Sequence, residues 1–534
     1  MKKSLSIFLP ILWIVLLFSC NKSASEKNTK RPNIVFIMSD DHAYQAISAY
    51  DTTLIKTPNI DRLAHEGMLF TNASVTNSIC APSRAVILTG KHSHINGKID
   101  NLSPFDTTNT TFPMLLQKAG YQTAMFGKLH FGNNPKGFDE FKILPGQGDY
   151  YNPKFITETG DTTITGYVTD ITTDLTLDWM EKRRDTAKPF LLMYLHKAPH
   201  RSWLPASRHY PTFTTKEYAL PATLFDDYGT RGDAAKTAEM GILKDMLFQY
   251  DLKVPKTVLD ALGISERLGS GGVDRMNPKQ RAAWDAVYEP IAKSFMERYP
   301  EMTDSTLTVW KFQRYMQDYL GTIAAVDENV GRLLDYLDTE NLRQNTLVVY
   351  TSDQGFYLGE HGWFDKRFMY DESFKTPLLI RWPNVITPNT TEDELVQNLD
   401  FAQTFLEAAG VEAPSGMQGE SLLPIFKGDK EKWTRDAVYY HYYEYPAEHA
   451  VKRHYGISTK AYKLMHFYYD VDQWELYDLE KDATETNNVY GAPEYQDIVT
   501  ELKIKLAATR EKYKDSDSIS NRYIDLYKEK GYIE

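Results

Sequence analysis

Short apolar runs that stop abruptly at charged residues recur along this chain. Asn33-Ile-Val-Phe-Ile-Met38 is followed at once by Ser39-Asp40-Asp41-His42. A run of that length, bounded by Pro32 and polar residues, predicts a strand buried on both faces. The arrangement returns at Tyr121–Met125 before Gly127-Lys128-Leu129-His130, and at Pro189–Leu195 before Lys197-Ala-Pro-His200. It returns again at Thr346–Tyr350 before Ser352-Asp353-Gln354-Gly355. Lys128 and His130 are two apart, so in extended chain they would share a face. Helical patterns intervene at Asn59–Gly67, Phe112–Ala119, Tyr315–Leu337 and Leu395–Ala409. Strands alternating with helices predict an α/β fold, a large mixed or parallel sheet sandwiched by helices. Each polar cluster then lies past the carboxyl end of a strand, the edge where open α/β sheets bind ligands.

The main domain is expected over residues 32–428. Residues from about 201 to 300 read as an insertion, mostly helical (Ala234–Phe248, Pro278–Tyr299) around a glycine-rich turn at Gly269–Gly272. Composition changes after Gly428, and residues 429–534 are rich in tyrosine and charge. Alternation at Tyr462–Tyr469 and Trp474–Asp478 predicts a smaller C-terminal antiparallel sheet, closed by a helix at Leu502–Lys514.

Length and composition sharpen this outline. At 534 residues and 42% hydrophobic, the chain can bury a large core. A net charge of −12 argues against a nucleic-acid binder, which needs a basic face. Residues 1–20 read as a targeting segment: Lys2 and Lys3 precede an apolar run, Ile7–Phe18, too short to span a membrane. It ends Leu16-Leu17-Phe18-Ser19-Cys20, resembling a bacterial lipoprotein signal with Cys20 lipidated as the mature first residue and 21–31 as a linker. The other reading is an ordinary secretory signal with an incidental cysteine. Both predict export, and the first predicts a lipid anchor on the periplasmic or outer face of a bacterial envelope.

Export gives weight to the cysteine count. The chain has two cysteines, and with Cys20 lipidated, Cys80 has no intrachain partner. An odd exported cysteine is reactive, modified or simply buried. Cys80 opens Cys80-Ala-Pro-Ser-Arg84, followed by an apolar run and Gly90. Pro82 suits the first turn of a helix and Gly90 its end. Cys80 is thus placed at a helix N-terminus, where free N–H groups, with Arg84 a turn on, favour negative charge. The Asp40-Asp41 pair is either a solvated turn or a site for a hard divalent cation, which takes such oxygen ligands.

With these residues in view, the chain resembles the formylglycine-dependent (type I) sulfatases of the alkaline-phosphatase superfamily, in particular bacterial carbohydrate sulfatases, over roughly residues 32–489. The resemblance rests on Cys80-x-Pro82-Ser83-Arg84 with Leu88-Thr89-Gly90. Asp40-Asp41, Gly127-Lys128-x-His130, Pro199-His200, Ser352-Asp353-x-Gly355 and Lys366 support it in order. It implies that a maturation enzyme oxidises Cys80 to formylglycine, and that Asp40, Asp41, Asp353, Gln354 and the modified Cys80 hold one Ca²⁺. Many relatives carry Asn or His at the Gln354 position, and Arg rather than Lys91 after Thr-Gly. It implies further that a hydroxyl of the hydrated aldehyde attacks sulfur, while Lys128 and Lys366 meet charge on the sulfuryl oxygens. Arg84 would favour ionisation of the attacking group, His200 would protonate the leaving alcohol, and His130 would regenerate the aldehyde.

The expected substrate is a sulfated carbohydrate, a glycosaminoglycan or algal glycan fragment. Gly359–Tyr370, with His361, resembles N-acetylglucosamine-6-sulfatase-like enzymes. Arg453 and His454, in a polar and aromatic C-terminal stretch, are candidate sugar contacts, or alternatively part of a packed interdomain surface. Two rival functions remain: a phosphodiesterase or phosphonate hydrolase of the same superfamily, and a non-catalytic glycan-binding surface lipoprotein.

Overall fold

The computed structural model describes residues 31–533; the targeting segment, Cys20 and most of the linker lie outside them. The central feature is a ten-stranded mixed sheet. Its strands are β1 (Asn33–Ser39), β2 (Met68–Phe70), β3 (Gln122–Lys128), β4 (Glu140–Leu144), β5 (Lys154–Thr157), β6 (Gly160–Thr163), β7 (Phe190–Leu195), β8 (Thr346–Ser352), β9 (Leu378–Arg381) and β10 (Thr390–Glu392). The spatial order is β10-β2-β9-β8-β1-β7-β3-β4-β5-β6. β1 is central and parallel to both β8 and β7, and β7 is parallel to β3. The antiparallel pairings lie outside this core, where β9 joins β8 and β5 joins β4.

The unbroken apolar character of β1 follows from this position. Ile34, Phe36 and Met38 enter one hydrophobic core with Ala85, Leu116 and Phe405, carried by helices α2 (Cys80–Thr89), α3 (Phe112–Lys118) and α7 (Phe401–Ala408). Val35 and Ile37 enter the opposite core, with Leu63, Trp179, Trp284 and Leu333 from helices α1 (Pro58–His65), α4 (Val168–Lys182), α5 (Pro278–Arg298) and α6 (Asp304–Thr339). The five residues are at most 1% exposed, each worth about 1.5–3 kcal/mol of apolar burial. Asp327 of α6 accepts the backbone N–H groups of Asn59 and Ile60 at 3.0 and 2.8 Å, so the longest helix also caps the start of α1.

Three expectations are corrected. Ala234–Phe248 is helical only at Asp233–Lys236. Beyond that, Ile242 N–H donates to the Gly362 carbonyl and the Met240 carbonyl accepts from Phe364; tertiary backbone bonding replaces the helical ladder. The helix expected at Leu395–Ala409 begins at Phe401, because Val396–Gln397 pairs with Ala73–Ser74 and Asp400 bonds the Gln397 N–H at 2.8 Å. The closing helix is longer, α8 (Gln496–Lys512), and a further helix follows it, α9 (Asp517–Glu529). A four-stranded antiparallel sheet stands before them: β11 (Val438–Tyr442), β12 (His454–Ser458), β13 (Tyr462–Phe467) and β14 (Gln473–Asp478).

Gly127 shows how tightly the site is set into the sheet. Its φ is +107°, and a Cβ there would fall 1.7 Å from the Leu195 carbonyl oxygen of β7. Gly127→Ala is therefore expected to lose about 3 kcal/mol or more of stability. Denaturant unfolding checks this, and a loss below about 1 kcal/mol would show that the contact relaxes freely.

Candidate active site

Four strand ends converge on one buried point. β1 delivers Asp40 and Asp41, β8 delivers Asp353 and Gln354, β3 ends on Lys128, and the turn after β7 carries His200. Backbone bonds tie these ends together: Asp353 N–H donates to the Ser39 carbonyl, Asp40 N–H to Ala198, and Asp41 N–H to Asp353 Oδ1 at 3.1 Å. Cys80 is the first residue of α2, and the chain leaves that helix through Gly90 in the left-handed region, φ 60°. The side-chain oxygen of Asn101 accepts the Ala81 N–H at 3.1 Å, satisfying one of the first-turn donors.

Charge alternates through the cluster. Lys128 is bonded to Asp40, Arg84 to Asp353 at 2.8 Å, and Lys366 to Asp41 at 2.7 Å. All six side chains are at most 2% exposed. Three carboxylates and three cations give a formal charge of zero. Burial raises the Asp40 carboxyl, but the cations around it, Lys128 first and then Arg84 and Lys366, outweigh it and hold the group well below the usual range. Burial pushes Asp41 up to about 6, resisted by Lys366 and reinforced by Asp40. Burial and then Asp40 push Asp353 up to about 7.

The Cys80 thiol departs from the sequence expectation. Its Sγ lies 3.4 Å from Asp40 Oδ1, and burial followed by that carboxylate pushes the thiol up. The helix N-terminus does not make a thiolate here, because a wholly buried anion beside another anion is costlier than the dipole can offset. Unmodified Cys80 is held as a protonated thiol.

The donor set fits a divalent cation. Oxygen atoms of Asp40, Asp41 and Asp353 lie within 4.8 Å of one another. The Gln354 amide nitrogen is 2.5 Å from Asp41 Oδ1 and 2.8 Å from Asp353 Oδ1, while its oxygen is buried without a hydrogen bond. Turning the amide over would present that oxygen to the gap between the carboxylates, completing an all-oxygen set suited to a hard ion. Such an ion would also relieve the repulsion that raises Asp41 and Asp353.

His200 Nδ1 sits 2.5 Å from the Arg201 carbonyl, so it carries the proton, and Nε2 lies 3.7 Å from Asp41 Oδ2. Burial and Lys128 hold the ring neutral. His130 adopts φ 66° rather than extended backbone, so the strand-face argument does not apply to it. It still adjoins the cluster, where burial and then Lys128 lower it to about 2.

The three candidate sugar contacts are not joined to this cluster by any hydrogen bond or ion pair among the described residues. His361 is fully buried between Asp226 and Arg231, each 3.1 Å from its Nδ1. Arg453 donates to the Tyr445 carbonyl and lies over the Tyr527 ring at 4.6 Å. His454 packs against Tyr440 and Phe467 with Nδ1 on the Lys452 carbonyl. The structure instead brings up a second polar group, drawn from the same two segments but from other residues: Asp365 pairs with Arg367, and His449 Nε2 lies 3.3 Å from Asp365 and 3.2 Å from Arg201. Asp365 and Arg367 flank Lys366 within Gly359–Tyr370, and His449 belongs to the polar and aromatic C-terminal stretch, so the sequence pointed to these segments and not to their pairing.

The chain's relationships agree with this geometry. Residues 32–411 match the sulfatase family model, and residues 359–512 match the C-terminal model of N-sulphoglucosamine sulphohydrolase. An α/β sheet whose strand ends carry this cluster is the frame of a sulfuric ester hydrolase, and the chain belongs to the sulfatase family. It is 48% identical over 523 residues to an N-acetylglucosamine-6-O-sulfatase of Bacteroides thetaiotaomicron, covering 97% of this chain and 93% of that one. It is 27% identical over 458 residues to the human N-acetylglucosamine-6-sulfatase, covering 80% and 71% of the two chains. A solved structure described as a complex with its substrate D-glucosamine-2-N,6-O-disulfate superposes with a TM-score of 0.88 at 49% identity, covering 92% and 99% of the chains. The family implies formylglycine at the active cysteine and a divalent metal.

Because protons on Asp41 and Asp353 compete with the ion, metal stabilisation should grow as pH rises from about 5 to 7.5. At neutral pH a divalent ion at 100 times its Kd should add about 2.7 kcal/mol. Asp41→Asn should abolish most of this increment. A thermal shift unchanged by chelator, across that pH range, would sink the assignment of a metal site.

Proposed function

We propose that this chain removes the 6-O-sulfate of an N-acetylglucosamine or glucosamine unit in a sulfated glycan, using Cys80 as formylglycine and one Ca²⁺. The observation that carries the reading is 48% identity across nearly the whole chain to an N-acetylglucosamine-6-O-sulfatase. Calcium is preferred to softer ions because Asp40, Asp41 and Asp353 offer three carboxylates, while Cys80 and His200, which also lie close to Asp40, are given to the chemistry in this reading. In the metal-free protein the cluster is formally neutral; a divalent ion would leave it at +2, the sign that attracts an anionic sulfate ester.

Conversion of the thiol to an aldehyde would supply, after hydration, a hydroxyl nucleophile where the buried thiol is held protonated. The remaining roles fall to residues already in place. Lys128 and Lys366, which lose no solvent shell when substrate enters, would hold the sulfuryl oxygens as charge develops. Arg84, doubly held by Asp353, would stabilise the attacking oxygen. His200 would hand a proton from its inward nitrogen, Nε2, to the leaving alcohol. That nitrogen has to be protonated first, and an anionic substrate beside it favours the charged ring. His130, near Lys128, would hold and deprotonate the second hydroxyl.

Cys80 is wholly buried at the start of a helix, which supports oxidation by a maturation enzyme before the chain folds. Export and lipidation at Cys20 are part of the same reading and rest on the N-terminal pattern; acylation is checked by mass spectrometry of the mature protein.

Cys80→Ser and Cys80→Ala should each lower kcat by roughly 10³-fold or more in a panel of monosaccharides sulfated at single positions. Wild-type protein should turn over the 6-O-sulfate and leave a matched phosphodiester nearly untouched. Full multiple turnover by the Ser variant would sink the aldehyde, and turnover of only 3- or 4-sulfates would sink the assigned position. Lys366→Ala should cost roughly 10²–10³ in kcat with the fold retained, read from steady-state kinetics beside a melting curve.

A further inference from the structure

A cavity of about 310 Å³ lies beside the carboxylate cluster, large enough for a small ligand. Its walls include Gln147, Tyr150, Lys197, Arg201, Tyr250 and the glycine-rich turn of the insertion, Gly269–Gly272. Gln147 joins it to the chemistry, since its Oε1 accepts a hydrogen bond from Lys128 Nζ.

Lys197 is the unspent charge in this wall. The residue is 4% exposed. Its Nζ lies 4.7 Å from the centre of the Tyr150 ring, and its one hydrogen bond among the described residues is a 3.5 Å contact to the Arg201 carbonyl. The other charges nearby are engaged. Arg201 is clamped by Asp251 at 2.8 and 3.0 Å, and Asp149 lies 3.2 Å from Arg275. Burial and repulsion from Lys128 bring the Lys197 ammonium down to about 7, a penalty that an anion in the cavity would relieve.

The glycine-rich part of the lining is closely packed. Ser202 Oγ donates to the Gly271 carbonyl at 2.5 Å. A Cβ at Gly271 would fall 2.5 Å from the Tyr250 carbonyl at a φ of +63°, so only glycine fits. A Cβ at Gly269 meets nothing within 4 Å, which makes this position available for narrowing the cavity.

We propose that the cavity is a subsite for a second anionic group of the sulfated glycan, with Lys197 as its cationic contact and specificity determinant. Two sources share that chemistry: a sulfamate on the glucosamine itself, or the carboxylate of a neighbouring uronic acid. The inference rests on the glucosamine-glycan reading above and adds a requirement that reading does not contain.

The experiment measures affinity by calorimetry in the Cys80→Ala protein and kcat/KM in the active enzyme. Four ligands are compared: 6-O-sulfo-N-acetylglucosamine, its N-sulfated counterpart, and disaccharides joining the first to a uronic acid or to galactose. Lys197→Ala should weaken an anion-bearing ligand by roughly ten- to hundredfold and leave the monosulfated sugar and the galactose disaccharide within threefold. Lys197→Arg should restore most of the loss, and Gly269→Phe should reproduce it. Loss on the N-sulfated sugar alone assigns the anion to the same ring, and loss on the uronate alone to its neighbour. Equal loss on all four ligands, or none on either anion-bearing one, overturns the subsite. Failure of wild-type enzyme to desulfate any of the four overturns the glucosamine reading and this inference with it.

Discussion

Everything at the centre of this protein follows from burying three carboxylates at one end of a sheet. Asp40, Asp41 and Asp353 have no access to solvent, and three like charges in a low-dielectric interior are tolerated only with compensation. Arg84, Lys128 and Lys366 supply it one for one. The compensation is incomplete at Asp41 and Asp353, whose carboxyls remain raised, and that residue of unfavourable charge is what a divalent cation would remove. Binding power is thus stored in the folded protein as electrostatic tension that its own cations only partly relieve.

Rigid strands make that tension sustainable. β1, β8, β7 and β3 are buried on both faces and hold their ends in register, so the carboxylates cannot move apart to relax. The close approach of Gly127 to Leu195 sets Lys128 against Asp40. Helix α2, which begins at Cys80, enters the same point from one face of the sheet. Its first residue is held as a protonated thiol, which agrees with a family that implies formylglycine, rather than a thiolate, at its active cysteine.

The site's second polar group shows where sequence reading reached its limit. Asp40-Asp41, Lys128 and His200 were legible as polar residues just past apolar strands and Cys80-x-Pro-Ser-Arg as a helix start, whereas Lys366 came only with the family resemblance. The joining of Asp365 and Arg367 to His449 and Arg201 was not legible, because contacts between residues far apart in the chain leave no local pattern. His361, Arg453 and His454 read as polar and aromatic, a composition that suits sugar contact and buried packing equally. Their neighbours, Asp226, Tyr527 and Phe467, are assigned by the fold alone. The same limit explains the helix expected at Ala234–Phe248: its propensity is local, while the backbone bonds it makes to Gly362 and Phe364 are not.

What the sequence determined by itself is most of the strand and helix framework and the polar residues that end up at the strand ends, since hydrophobic period and residue chemistry are local properties. Tertiary structure alone decided the protonation of Cys80, the partner of each charge and the cavity at Lys197. Those depend on burial and on distances between segments hundreds of residues apart, and both come into existence only when the sheet closes its two cores.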